Sequence, residues 1–481
     1  MNYRASKSFK ITLSVLVPVG FALYFGLVPE LEAMRRPKVP GDLEFPERRP
    51  EFERQRSEPV AVSSGGAVAL DWFGENFEKL MAWDKNPWRR PQRIFGSHYL
   101  ELKGSKDPAD QAKARRIEAL ADSIYRQLLK RYPELAVEMR KVAPERNGFL
   151  KFLELQERFN KPGQPHSATL PIPDSLAKFD PGTWNAETAR TWLDSQLSFL
   201  DEIRGIGLLP ERSVNGIDLD RYFFIPARFA KGCSDALLLD ARLAAEDGDV
   251  ARAMASVQAA VGLADHIGEV ETPTLLAATV QILVRMNAQH YVLSEIMPQL
   301  PPETMDVSAW QNLVYPVPKE PEDFARLMTG EWHVCGRYWL FPPVADAEDP
   351  KYPSDPEALL DAYSGTYVEI VNTHRGQPLS RLPDIDLQPS PPDLSHLSRQ
   401  SRETMEMLWV GARAWRKGWD RSQSATAMTQ AAFAILQGQA VPNDPVYGLP
   451  YRWDPETRTL TAPDSPAFKE MDLKPIKVPK P

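Results

Sequence analysis

Apolar positions recur at helical spacing through most of the chain beyond residue 68, and the densest run lies at residues 225–298. It reads as three consecutive helices. The first lays Ala236, Leu237, Leu239, Leu243 and Ala244 along one broad face. The second repeats small and apolar residues at Ala253, Val257, Ala260, Val261 and Ala264, and Asp247, Gly248 and Asp249 break the pattern between the two. For the third, Thr272 is the expected N-cap, with Pro273 at the first helical position and Pro298 as the stop.

Upstream of this core, Leu70, Trp72, Phe73, Phe77, Leu80, Met81 and Trp83 predict an aromatic-rich opening helix. Ile117, Leu120, Ala121, Ile124, Tyr125 and Leu128 keep one face of the next, opposite Arg115, Arg116, Glu118, Arg126 and Lys130. Short helices are expected over 134–142 and 147–159, and a longer one over 185–205 capped by Asn185. Downstream, helices are predicted over 321–338, over 356–376 behind Asp355, and over 398–436 with an interruption around Gly418. Residues 450–453 and 458–461, on either side of Asp454-Pro455-Glu456-Thr457, carry the β signal and predict a short hairpin.

The N-terminus follows a different pattern. Residues 1–10 hold Arg4, Lys7 and Lys10 with no acid, and residues 11–28 carry no charge. Eighteen residues at the helical rise cover about 27 Å, near the lower limit for crossing a bilayer. One transmembrane helix is expected, and an uncleaved anchor is favoured over a cleaved signal peptide because Leu31-Glu32-Ala33 is a poor processing site. Arg35, Arg36 and Lys38 beyond the span nearly balance the basic tail before it. The short basic tail places the body outside the cytoplasm. Residues 29–66, where prolines alternate with charges, predict a disordered tether.

The expected fold class is therefore mainly α, with an N-terminal transmembrane helix, an irregular TPR-like or α-solenoid-like helical body and a C-terminal β-hairpin. Its expected organisation is a basic tail (1–10), the span (11–28), the linker (29–66), an N-terminal helical region (67–205), a central helical region (206–376) containing the hairpin at 226–267, a proline-rich linker (377–397), a long C-terminal helix (398–440) and the tail (441–481).

Composition narrows function by exclusion. A net charge of −8 argues against a nucleic-acid surface, which needs a concentrated basic face. Cys233 and Cys335 are too few for a disulfide framework; outside the cytoplasm they either pair or remain two separate buried thiols.

The richest candidate for chemistry is Glu331, His333 and Cys335 in GEWHVCG, since carboxylate, imidazole and thiolate all suit zinc. On a helix, however, Glu331 and Cys335 share a face while His333 points roughly 200° away from Glu331. The preferred reading is a partly buried Glu331 paired with an arginine such as Arg326 or Arg337. His98, His166, His266, His290, His374 and His396 show no ligand spacing, and no nucleophile elbow, phosphate-cradling glycine loop or Cys-x-x-Cys is present. Trp409, Trp415 and Trp419 on the last long helix are read as packing residues rather than a binding platform. No catalytic, cofactor-binding or metal-binding residue is therefore assigned.

Around the central turn, Ala241, Gly248, Asp249, Ala253 and Ala260 resemble one tetratricopeptide helix pair, with Ala241 where that family usually has Gly and Leu237 where it favours Trp. There is no second copy 34 residues on, so the resemblance implies packing of that type rather than an array. More broadly, the early span, the hairpin, Gly330-Glu331 and a tail with Asp444-Pro445, Gly448 and Pro450-Tyr451-Arg452 resemble a set of uncharacterised bacterial membrane-anchored proteins. That resemblance implies a layout and no activity. The tail also resembles the end of pilin-type secretion proteins, but the Glu early in the first span of those proteins is missing here.

The resulting expectation is a non-enzymatic, membrane-anchored helical scaffold of the bacterial envelope. It would contact the lipid bilayer through residues 11–28 and bind other envelope proteins, not nucleic acid. The alternative is a membrane-tethered hydrolase of an envelope polymer, with acids such as Glu331 as acid/base groups.

Overall fold

The computed structural model describes residues 97–480 apart from 162–167, 171, 174–175, 177–183, 223–226, 317–323, 350–351, 377–393, 446, 466–467 and 470–472. The expected span, the tether, the opening aromatic helix and most of the proline-rich linker lie outside the described residues. No described helix is long and apolar enough to cross a membrane.

The described chain is mainly helical. In order come α1 (Ser97–Gly104), α2 (Pro108–Arg131), α3 (Gly148–Phe159), α4 (Ala186–Ser195), α5 (Leu197–Gly207), the single turn α6 (Leu219–Tyr222), α7 (Ala227–Glu246), α8 (Val250–Gly268) and α9 (Leu275–Tyr291). Then follow α10 (Val307–Val314), α11 (Phe324–Cys335), α12 (Phe341–Ala345), α13 (Pro356–His374) and α14 (Arg399–Leu436). Strands β1 (Arg452–Asp454), β2 (Thr459–Thr461) and β3 (Ile476–Lys477) form one antiparallel sheet in the order β1-β2-β3.

Contacts gather the described residues into two units, one within 97–133, 339–369 and 394–409, the other within 134–338, 370–376 and 410–480. In the first, α2 starts at Asp107, whose carboxylate accepts the Ala109 N–H, with Pro108 at the first helical position. Ile117, Ala121, Ile124 and Leu128 face inward as the spacing predicts, and Tyr125 meets Phe341 of α12 at a centroid distance of 6.3 Å.

The second unit is built on α7, α8 and α9. Gly248, at φ +77°, takes a left-handed conformation that few side chains tolerate, so the Asp249 and Gly248 N–H groups reach back to the Ala244 and Ala245 carbonyls. Asp249 then serves α8 as its N-cap by accepting the Arg252 N–H. The expected apolar residues of both helices are buried. On α7 burial extends around the whole cylinder and takes in Leu238 and Asp240 as well, because helices pack on more than one side of it. Contacts advance together along α7 and α9, Asp235 with Asn287 and Arg242 with Glu295, so these two helices run in the same direction.

Several expected boundaries are corrected. Thr274, not Thr272, caps α9, its hydroxyl accepting the Ala277 N–H, and the connector before it is buried rather than helical. The stretch 134–142 holds only the short 3-10 turn Pro133–Leu135. Its backbone is used elsewhere: the Leu135 carbonyl accepts from His333, and the Arg140 N–H and carbonyl bond to Glu271, Ser213 and Asn215. The helix expected over 185–205 breaks at Gln196 into α4 and α5. In contrast, α14 is unbroken through Gly418, a mid-helix glycine costing only about 1 kcal/mol. Helices α9 and α11 each run on into a π-helical turn, Val292–Ile296 and Gly336–Leu340. The hairpin gains a third strand, too short at two residues to leave a periodic signal.

Candidate functional site

The connector 268–274 between α8 and α9 is buried, which is uncommon for a loop because its backbone polar groups lose water. Side chains from other elements replace that water. Arg326 donates to the Val270 carbonyl at 2.7 Å and to the Gly268 carbonyl at 3.3 Å, and Arg140 donates to the Glu269 carbonyl at 3.0 Å. Gly330 lets α11 approach this connector, since a Cβ there would overlap the Pro273 carbonyl.

Glu331 closes the arrangement. One carboxylate oxygen accepts the N–H of Leu275, the first residue of α9, and the other accepts from the Cys335 thiol. The expected arginine partner is thus corrected: Arg326 serves the connector's carbonyls, and Glu331 stands at a helix N-terminus whose unpaired N–H groups and dipole favour a carboxylate. Burial raises the carboxyl's proton affinity, although the Cys335 and Leu275 hydrogen bonds pull it back. His333, on another side of α11, bonds through Nε2 to the Leu135 carbonyl at 2.7 Å. Burial pushes its pKa down to about 4, so at neutral pH the ring is uncharged and Nε2 carries the hydrogen given to that carbonyl. Among the described residues no three of His, Cys, Asp or Glu gather around a point suited to a metal ion.

A raised carboxyl contributes stability that is complete below its unfolded pKa and lost as pH rises through its folded one. Glu331→Gln keeps an acceptor for Leu275 and is expected to equal or exceed the parent at neutral pH, with the difference shrinking toward acid. Glu331→Ala leaves that N–H bare and should fall about 1–2 kcal/mol below the glutamine variant. Urea midpoints between pH 5 and 8 check both, and an alanine variant as stable as the glutamine one would refute the cap.

Around the connector lies a network of buried charges. Glu269 pairs with Arg212 and, at 2.9 Å, with Arg285, which also holds Asp265. Glu271 takes the Arg140 guanidinium at 2.9 Å and the Val214 N–H at 3.0 Å. Burial pushes its carboxyl up, but the Ser213 hydroxyl, Arg140 and the Val214 N–H outweigh that and leave it below the usual range. Fully buried Asp240 is shared by Arg204, Arg252 and the Ser256 hydroxyl. Arg242 pairs with Glu295 and lies 4.0 Å over the Trp184 ring. Chemically this network positions rather than reacts: each of these carboxylates is held by a guanidinium, and none is more than 13% exposed.

The other candidates are dispersed. His266 bonds to the Ile206 carbonyl at 2.9 Å, and His374 meets the Phe324 ring edge-on at 5.3 Å. Burial alone lowers the proton affinity of His290. Cys233 and Cys335 are both free. His166 lies outside the described residues, as do the side chains of Trp409, Trp415 and Trp419.

One pairing left no trace in the sequence. In the first unit His98, at the start of α1, bonds through Nδ1 to the carboxylate of Asp346, just beyond α12, at 2.7 Å. A separation of 248 in sequence hides the pair from any spacing rule. Comparison of the chain with models of protein families, with curated proteins and with solved structures finds no match.

Proposed function

We propose that the chain is a membrane-tethered helical scaffold of the bacterial envelope, anchored by residues 11–28 with its body outside the cytoplasm and its helices binding other envelope proteins. The observation that carries this reading is the engagement of the buried carboxylates of the second unit with guanidinium groups and helix N–H groups. Such groups hold helices in register instead of waiting for a substrate. The antiparallel α7–α8 turn, followed by α9 running parallel to α7, supports TPR-like packing of this region as part of the proposal. The hydrolase alternative loses support at Glu331, whose two oxygens are already taken.

Fractionation and affinity capture test the reading together. The full chain is expected in the membrane pellet, released by detergent but not by salt or alkali, and a chain lacking residues 1–28 in the supernatant. Capture of the solubilised chain should bring down the same envelope proteins with and without Glu331→Gln. Recovery of the full chain in the soluble fraction would remove the anchor, and capture of no protein in reproducible amount would remove the scaffold.

A further inference from the structure

The His98–Asp346 pair joins a buried carboxylate to a partly accessible imidazole. Asp346 is 2% exposed, while the His98 side chain is 28% exposed. The Asp346 contact occupies Nδ1, and no described residue bonds to Nε2. A buried carboxylate on Nδ1 favours the tautomer with its hydrogen there and the lone pair on Nε2, the arrangement a general base requires.

Both members sit on packed elements. His98 lies in the first turn of α1, which packs on α2 and α12. Asp346 is set by its own N–H to the Pro343 carbonyl at 3.2 Å, and its carbonyl accepts the Asp349 N–H at 3.0 Å. Tyr352 brings to the same corner a buried hydroxyl with no hydrogen-bond partner among the described residues. Burial first, then the charges of Glu357 and Asp346, hold its proton in place.

We propose that His98, oriented by Asp346, is a general base that activates water for hydrolysis of a neutral or cationic ester. Besides His98, the charges that act on Asp346 and Tyr352 are those of Asp349 and Glu357, so the surroundings of the pair are acidic and disfavour phosphate esters. In the step, Nε2 takes a proton from water as its oxygen bonds to the carbonyl carbon. The bond from that carbon to the leaving oxygen then breaks, and the imidazolium returns the proton to the departing alkoxide. Ester plus water gives acid plus alcohol, with no change of oxidation state. His98 is the catalytic residue and Asp346 a positioning residue. The proposal goes beyond the scaffold reading and does not rest on it, since it concerns the first unit only.

The test uses the full chain in detergent with p-nitrophenyl acetate and p-nitrophenyl phosphate. Saturable release of p-nitrophenol from the acetate is expected, with little from the phosphate. His98→Gln should lower kcat/KM about 100-fold, the usual worth of a positioned base. Asp346→Asn should lower kcat with KM unchanged, a split that mere loosening of the fold would not give. Independently of turnover, diethyl pyrocarbonate should modify His98 in the native chain, located by mass spectrometry, and buried His333 only after unfolding. An unsaturable rate equal in parent and His98→Gln would overturn the proposal, as would preferred hydrolysis of the phosphate, or a native His98 that resists the reagent.

Discussion

Replacing Arg242 with methionine is expected to destabilise the protein by about 3–5 kcal/mol, because it leaves the Glu295 carboxylate buried without its counter-charge. Both groups are nearly inaccessible, at 6% and 4% exposure. Glu246, at 3.6 Å from the same guanidinium, would lose its partner too, and the Trp184 ring would lose the flat cation stacked 4.0 Å above it. The companion variant separates the cost of stranding a charge from the net worth of the pair. Arg242→Met combined with Glu295→Leu should recover most of the loss, since an apolar pair of similar volume replaces a desolvated ion pair. Urea unfolding of the four members of the cycle, followed by tryptophan fluorescence, measures both quantities. A single variant within 1 kcal/mol of the parent would mean that water reaches this pair, contrary to the packing of α7 against α9.

Gly262→Ala is the second large loss. Helices α5 and α8 cross so closely that a Cβ on Gly262 would overlap the Gly207 carbonyl, and one on Gly207 would overlap the Ala259 carbonyl. These are backbone atoms, so relief requires one helix to move. Overpacking of this kind costs about 3 kcal/mol at the upper end of its usual range, against a gain of about 1 kcal/mol from exchanging glycine for alanine within a helix. A net loss near 2 kcal/mol is therefore expected. Gly205, two residues before Gly207 on the same helix, has nothing within 4 Å of its added Cβ, and there alanine should stabilise by about 0.5–1 kcal/mol. Thermal midpoints moving in opposite directions for these two exchanges would establish the crossing. A stabilised Gly262→Ala would refute it.

The α7–α8 hairpin could be read from the chain because its causes are local: helical spacing on both arms, a glycine able to adopt φ above zero, and an aspartate able to cap the helix that follows. The cap at Asn185 was legible for the same reason. What escaped was decided at a distance. Residues 134–142 give up intrahelical bonds for Glu271, Ser213 and His333, partners that are far away in sequence. Thr272 and Thr274 are equivalent as caps by composition, and only the buried connector chooses between them. Glu331 and Cys335 share a face as helical geometry requires, but no rule of spacing reveals that the first N–H of α9 sits opposite. The His98–Asp346 pair is the extreme case, two common residues joined by tertiary structure alone.

The pinning of residues 268–274 also bears on how the protein would respond to a load. Ordinary loops between helices bend, so a displacement of one helix fades before it reaches the next. Here Arg326 and Arg140 grip the carbonyls along the connector and Glu331 holds its exit. Leverage applied at the far end of α8 would therefore arrive at α9 with its direction preserved, and the two helices would turn as a single rigid lever rather than as hinged arms.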